Sequence, residues 1–251
     1  MPVALKPENV INKMFYRLPL GDNRKAEIAN LLKDLITEIN DENTEETNKG
    51  YIRDFLRGLG FQQEGFKVNA EGRIDLVISK ESVNYVLLET KKLRSPDMIS
   101  ESHINRKALH ELILYFMRER FGASNTRMTY LIVTDGVDWF IFDAALFNKI
   151  FAKNKHFVNN YFESQVEQAT LDVTTSDFYT NIAAPFVEKH KDELEYVHLN
   201  VNNLFQQNGE INETRARRFI RMLAPETLMK RSFVSDSNVL DQKFYDELLY
   251  I

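Results

Sequence analysis

The chain has 251 residues, 43% of them hydrophobic, and a formal net charge of −5. That length suits one large domain or a domain with an appendage, and the acidic balance excludes a uniformly basic nucleic-acid binder, so DNA contacts have to come from local basic patches. The chain contains no cysteine, which excludes disulfides and Cys-ligated zinc. It also contains no apolar run near the roughly 20 residues of a membrane span and no signal-peptide core. We therefore expect a soluble cytoplasmic protein that contacts no membrane.

Hydrophobic periodicity predicts an α/β protein. The first 22 residues, broken by three prolines, predict an irregular lead-in with short helical pieces. Further along, the pattern predicts helices at 24–40 and 45–59, a β-hairpin within 72–98, a long helix at 101–121, strands in TYLIVTDG and DWFIFDA, helices at 144–154 and 174–194, and a strand in EYVHLNV. From about residue 202 the composition shifts to further helices, ending in the apolar pattern NVLDQKFYDELLYI. We therefore divide the chain into a domain at 1–201 and a helical segment at 202–251.

The predicted hairpin carries the residues with the clearest chemistry. Side chains alternate along a strand, so Glu89 and Lys91 share one face while Thr90 lies on the other. With a turn centred near Ser82, Asp75 lies directly opposite Glu89, where Cβ atoms are about 4.5–5.5 Å apart and like charges repel. Either Lys91 or a divalent metal held by carboxylate oxygens has to compensate that repulsion.

Asp75, thirteen further residues and then Glu-x-Lys match the spacing of the PD-(D/E)xK nuclease motif. In this interpretation Asp75 and Glu89 bind Mg²⁺, with the main-chain carbonyl of Thr90 as another oxygen ligand. The metal activates a water, and Lys91 orients or helps deprotonate that water and stabilises the anionic transition state. The spacing alone is more typical of a solvated hairpin face than of a catalytic site. The apolar neighbour Leu87 and the basic residues that follow favour a site, and these basic residues are candidates for contacts with DNA phosphates: Lys92, Arg94, Arg106 and Lys107.

The helix before the hairpin supplies a fourth candidate catalytic carboxylate. Glu45 lies seven residues, two turns, before Ile52 and therefore nearly on the same face, which we expect to be buried. Glu46 is rotated by about 100° and is expected to be solvated. An alternative left open is that both glutamates only favour the positive end of the helix dipole.

The runs GRIDLVI, VLLETKKLRSPDMIS and NRKALHELILYFMRER together resemble the N-terminal nuclease region of type IIG restriction-modification enzymes, which act in phage defence and also carry an adenine methyltransferase. The resemblance continues through YLIVTDGVDWFIFDA, FYTNIAAPF and the closing LAPETLMKRSFVSDSNVLDQKFYDELLYI. It implies a restriction-endonuclease-like fold, with a central mixed sheet flanked by helices. It further implies cleavage of double-stranded DNA with Mg²⁺, or Mn²⁺ as a substitute, by the catalytic residues Asp75, Glu89 and Lys91.

Related nucleases often carry Gln-x-x-x-Tyr on the helix after the hairpin. That register falls on Glu111 and Tyr115, so the first position departs from the pattern, and His110 beside it is more typical of a structural residue.

The chain lacks both the FxGxG-like loop of S-adenosylmethionine sites and the NPPY motif of adenine methylation. The resemblance therefore implies methyltransferase and target-recognition partners, in a longer chain or separate, with 202–251 as the start of a connector. A basic cluster there is expected to be solvated or to contact phosphates: Arg215, Arg217, Arg218, Arg221, Lys230 and Arg231.

Three functions remain open from the sequence. The first is a metal-dependent endonuclease domain whose specificity lies elsewhere, acting as a transient dimer to cut both strands because one site cuts one strand. The second is a non-catalytic nuclease-fold module that binds DNA or a partner methyltransferase. The third is a stand-alone nuclease of repair or phage defence.

Overall fold

A computed structural model describes residues 1–19, 21–170, 174–206, 208 and 210–229. Seven strands form one sheet in the order β1-β7-β6-β5-β4-β3-β2. The β1–β7 and β4–β5 pairs are parallel and the other pairs are antiparallel, so the sheet is mixed. The strands are β1 Val3–Leu5, β2 Lys67–Glu71, β3 Ile74–Lys80, β4 Val83–Thr90, β5 Tyr130–Thr134, β6 Asp138–Asp143 and β7 Glu195–Asn200. This confirms the predicted α/β class with a mixed sheet.

Helices cover both faces of the sheet. The α-helices are α1 Pro7–Val10, α2 Lys13–Arg17, α3 Asp22–Glu38, α4 Glu45–Leu56, α5 Lys107–Met117, α6 Ala144–Phe147, α7 Lys155–Thr170, α8 Thr175–Asp177, α9 Ala184–His190, α10 Glu213–Leu223 and α11 Pro225–Leu228. Wider or tighter helical turns extend or connect them at Arg57–Phe61, Gln62–Glu64, Arg118–Gly122, Asn148–Ala152, Phe178–Ala183, Lys191–Glu193 and Val201–Leu204. One core lies between the sheet and α3, α4 and α10, and the second lies between the sheet and α5, α6, α7 and α9. No helix in the described ranges is long and apolar enough to cross a membrane.

The predicted helix at 101–121 begins later than its sequence pattern indicates. Ser100 and His103 exchange two backbone hydrogen bonds of 3.1 Å, which form a closed turn instead of a helical one. Arg106 is in extended conformation, and α5 starts at the next residue. The sequence pattern does not predict helix α7 or the two edge strands β1 and β2. The two strands are short and largely exposed, so they carry little alternation.

A two-residue turn and a bulge set the register of the β3–β4 hairpin. Glu81 and Ser82 form the turn with φ values of 52° and 60°, as in the hairpin turns that match the twist of the strands. Further along, the pairing shifts by one residue between the pairs Ser79–Asn84 and Ile78–Val86. Tyr85 is therefore an extra residue on β4, which is a β-bulge.

The bulge determines which residues meet at the far end of the hairpin. The ladder ends with the pair Leu76 and Leu88, and the same register continued by one residue sets Asp75 opposite Glu89. The same turn without the bulge would bring Asp75 opposite Leu88. The structure therefore has the register that the proposed carboxylate pair requires, and Tyr85 is the reason.

The start of the segment 202–251 is helical as predicted, and it packs against the sheet. Phe219 of α10 contacts Phe55 and Trp139, with ring centroids 6.0 Å from each. Arg221 is buried and donates to the carbonyls of Phe15 and Leu18. The sequence suggests a solvated side chain or a phosphate contact for Arg221, and both expectations are wrong. Its hydrogen bonds instead connect the N-terminal segment to α10. Lys230, Arg231 and the closing apolar pattern lie outside the described residues.

Gly136 connects β5 to β6 next to the end of β4. Its φ is +89°, and a Cβ atom there would lie 2.8 Å from Cδ1 of Ile39. We expect Gly136→Ala to lower the free energy of unfolding by about 1–3 kcal/mol, from backbone strain and this clash. Urea denaturation measures the change. Gly50→Ala is the matched control, because it lies within α4 with open space around it; it should raise stability by about 0.5–1 kcal/mol. Equal effects would contradict the role of Gly136.

Candidate active site

The ends of two interior strands bring the candidate residues together. Asp75 lies at the beginning of β3, Glu89 at the end of β4, and Lys91 directly after β4. Leu87 of β4 is completely buried in the core that α5 covers. Because side chains alternate, Glu89 and Lys91 lie on this same face of the sheet, as predicted.

Lys91 is the cation at the centre of the cluster. Only 6% of it is exposed. Its Nζ forms ion pairs with Oε1 of Glu89 and with Oε2 of Glu111, the latter at 2.6 Å. Burial by itself would lower the pKa of Lys91, but the two carboxylates outweigh burial and raise that pKa above its ordinary value. Lys91 is therefore charged at neutral pH, and Glu111, whose role the sequence left in doubt, belongs to the site.

Glu89 is the least favourably placed charge of the cluster. It is 2% exposed, and its Oε2 receives no hydrogen bond from any residue in the described part of the chain. Burial raises the pKa of Glu89 well above its ordinary value, and the nearby charge of Asp75 raises it further. Burial would also raise the pKa of Glu111, but contacts with Glu89 and Lys91 lower it. Of these two glutamates, Glu89 is thus the one that holds a proton more readily.

Asp75 is held by groups on the other side of the cluster. Its Oδ2 accepts hydrogen bonds from the Thr90 amide at 2.9 Å and from the Thr90 hydroxyl at 3.0 Å. Its Oδ1 accepts from Nζ of Lys49 at 3.3 Å, and Lys49 also pairs with Glu46. A carboxylate has about four acceptor positions, so three are occupied and one remains. Sequence reasoning missed Lys49, and the one signal that could have indicated it is its position one turn after Glu46 on α4.

Glu45 does not lie on the buried stripe of α4. It is exposed in the first turn, after the N-cap Thr44. Asn48 is the buried polar residue one turn before Ile52. The expectation of burial is wrong because α4 begins at Glu45, and its first turn extends beyond the packed part of the helix. The Glu45 carboxylate accepts a hydrogen bond from the Lys92 amide at 3.3 Å, so it lies beside the cluster, and a catalytic role for it stays a prediction.

Tyr115 and His110 are both buried on α5, but their surroundings differ. Tyr115 is buried, and its pKa is raised by burial and by the charges of Glu89 and Asp75, so its hydroxyl stays protonated near the carboxylates. His110 is buried, with Nε2 2.6 Å from Oδ1 of Asn105. Burial lowers the pKa of His110 to about 4, so it is neutral. The structural interpretation of His110 fits this environment.

The four predicted DNA-binding residues all lie on or beside the segment that joins β4 to α5. Lys92 and Arg106 are exposed. Arg94 pairs with Asp41 at 2.6 Å, while Lys107 lies 3.8 Å from Asp97 and 3.7 Å from Glu111. Their contacts with DNA stay a prediction, and two of the four are engaged by carboxylates of the chain.

The residues present fit a magnesium ion bound through two carboxylates. No group of three or more His, Asp or Glu side chains within the described ranges is arranged to hold a metal. Mg²⁺ often takes only one or two carboxylates and keeps several waters, and Asp75 with Glu89 matches that need. The Glu89 oxygen without a hydrogen-bond donor and the raised pKa of Glu89 are both features that a bound cation would relieve. The amide and hydroxyl of Thr90 orient Asp75, and a role for its carbonyl as a ligand stays a prediction.

The fold and the cluster define an α/β protein with a buried carboxylate–lysine site at the ends of two interior strands. Residues 5–236 match the family described as "Domain of unknown function (DUF7149)", and the chain belongs to that family. No curated protein and no solved structure matches the chain.

Proposed function

We propose that the chain is a metal-dependent DNA endonuclease domain of the restriction-endonuclease-like fold, serving as the cleavage module of a type IIG restriction-modification system. The observation that carries the proposal is the position of Lys91, buried two residues after Glu89 and paired with it, in a hairpin whose register sets Asp75 opposite Glu89. A buried carboxylate beside a second carboxylate and a lysine is unfavourable for stability, and such groups concentrate at functional sites.

Asp75 and Glu89 are the residues that would hold Mg²⁺ or Mn²⁺. When bound, the metal supplies an activated water and neutralises charge on the attacked phosphate. Thr90 fixes the orientation of the Asp75 carboxylate through two hydrogen bonds. Because Lys91 is charged at neutral pH, it acts as a hydrogen-bond donor that stabilises the anionic transition state, and it does not act as the base. Glu111 keeps the ammonium group in place.

A cleavage assay tests this function. The whole chain with Mg²⁺ or Mn²⁺ should nick supercoiled plasmid DNA, weakly and without sequence preference, since the resemblance assigns target recognition to another part of the enzyme. EDTA and Asp75→Asn should each abolish the product, because both remove the metal. Asp34→Asn is the matched control, an exposed aspartate on α3 far along the chain from the site, and it should cleave like the wild type. DNA binding without nicking in either metal would contradict the proposal and favour a non-catalytic module that binds DNA or a partner methyltransferase.

A further inference from the structure

Lys49 connects Asp75 to a carboxylate that lies outside the proposed metal site. Its Nζ lies 3.3 Å from Oδ1 of Asp75 and also pairs with Oε2 of Glu46, on the same helix. Only 15% of the Lys49 side chain and 18% of the Asp75 side chain are exposed, whereas 79% of the Glu46 side chain is exposed. The ammonium group of Lys49 therefore has one partner inside the site and another at the surface of α4.

The contact between Lys49 and Asp75 is suited to exchange. Its length of 3.3 Å exceeds the usual about 2.7–3.2 Å of an N–H···O hydrogen bond. Asp75 does not depend on this contact for its orientation, because the amide and hydroxyl of Thr90 hold its other oxygen at 2.9 Å and 3.0 Å. A lysine ammonium group ends a flexible four-carbon stem, so it moves without a change in the backbone. Glu46 lies three residues before Lys49 on one side of α4 and stays within its reach.

A metal ion bound to Asp75 and the ammonium group of Lys49 compete for the same carboxylate. Within the described part of the chain, Oδ1 of Asp75 accepts a hydrogen bond from Lys49 alone. Two cations on one carboxylate repel each other, and the repulsion weakens as the distance between them grows. Lys91 has no such escape towards the surface through its two glutamate partners, Glu89 and Glu111, because both are largely buried. Lys49 is therefore the lysine of the cluster that is arranged to leave.

We propose that Lys49 is the counter-ion of Asp75 while the metal is absent, and that Glu46 receives its ammonium group when a divalent cation binds. The inference rests on the proposed function, which makes Asp75 a metal ligand. Lys49 and Glu46 are then positioning residues, which act on the reaction only through the charge at Asp75. Lys49 lowers the affinity of the site for the metal, and Glu46 raises that affinity because it offers the lysine another partner.

The test is binding of Mn²⁺ to the whole chain, measured by isothermal titration calorimetry without DNA. Lys49→Met keeps the length of the stem but removes the charge, so it should bind Mn²⁺ about fivefold tighter or more. Glu46→Gln should bind Mn²⁺ about fivefold more weakly, because Lys49 is left with Asp75 as its partner. Lys80→Met is the matched control. It removes a lysine at the opposite end of β3, roughly 17 Å along the strand from Asp75, and should bind like the wild type.

A double variant separates this exchange from a general effect of charge. Glu46→Gln also removes a negative charge near the metal, and that loss alone weakens binding. If Glu46 acts by receiving the lysine, Glu46→Gln should change the affinity for Mn²⁺ by less than about twofold in the Lys49→Met background. Equal weakening in the presence and absence of Lys49 would contradict the exchange.

The outcomes also separate this inference from the nuclease proposal. If the wild type binds Mn²⁺ and Lys49→Met binds it equally or more weakly, Lys49 only holds Asp75 in place, so the inference is wrong and the nuclease proposal is untouched. If neither protein binds Mn²⁺, both proposals are overturned. Binding by Lys49→Met alone would show that the lysine excludes the metal from the wild type, which supports the inference. Should Lys49→Met fail to fold, Lys49→Gln keeps a hydrogen-bond donor without the charge and should bind Mn²⁺ more tightly in its place; unchanged affinity would overturn the inference.

Discussion

Replacing Lys91 by methionine should abolish cleavage and leave DNA binding within about twofold of the wild type. Methionine keeps the length of the lysine stem but removes the donor that we assign to the anionic transition state. Loss of one such donor typically costs about 10²–10³ in rate. Plasmid nicking with Mg²⁺ measures the first effect, and anisotropy with Ca²⁺ measures the second. Unchanged cleavage would contradict the role of Lys91, while loss of both activities would indicate a folding defect.

The same replacement should also destabilise the chain, because Lys91 is the counter-ion of two buried carboxylates. Breaking a buried ion pair by removing one partner costs about 3–5 kcal/mol, since the remaining charge is left unpaired. Protonation of Glu89 relieves that charge, so the loss in urea denaturation should be larger at pH 8 than at pH 5. Lys107→Met is the control for stability: it also faces Glu111 but is half exposed, and such pairs contribute about 0–1 kcal/mol.

The elements that the sequence predicts well are those with a strong hydrophobic pattern. The strand β5 is buried along its whole length, and α3 has one regular apolar face, so both stand out. The edge strands β1 and β2 have no such pattern, because half of their surroundings is solvent and their pairing depends on distant strands. The burial of Arg221 was not predictable for the same reason, because it depends on carbonyls about 200 residues earlier in the chain.

The candidate site was predictable in its residues but not in its contacts. Period-two alternation correctly indicated that Glu89 and Lys91 share a face. The register of Asp75 depends on a bulge at Tyr85, which has no sequence signal. A turn centred near Ser82 pairs Asp75 with Glu89 without a bulge, whereas the observed turn at Glu81 and Ser82 pairs them only with it. Glu111 was located by spacing alone, and only the structure shows that it binds Lys91. The burial expected for Glu45 failed because spacing does not indicate where a helix begins to pack.

Replacing Glu89 by glutamine should have opposite effects on function and on stability. Glutamine keeps the shape but carries no charge, so cleavage should be lost along with one of the two carboxylates that we propose as metal ligands. Without metal, however, the buried charge of Glu89 lowers the stability of the fold. We expect Glu89→Gln to raise the free energy of unfolding at pH 8 by about 1 kcal/mol, or roughly 2–4 °C in Tm for a chain of this length.

The pH dependence identifies Glu89 as the source of that gain. Its folded pKa lies above its ordinary value of 4.5, so the native state binds the proton more tightly than the unfolded state. The stability that this contributes is complete below about pH 4.5 and is lost as the pH rises through the folded pKa. Wild-type stability should therefore decline across that window, and Glu89→Gln should show less decline. Mg²⁺ should restore the Tm of the wild type at pH 8 without changing that of the variant. A variant that is less stable than the wild type at pH 8, or equally stabilised by Mg²⁺, would show that Glu89 is a structural ion-pair partner of Lys91 and no metal ligand.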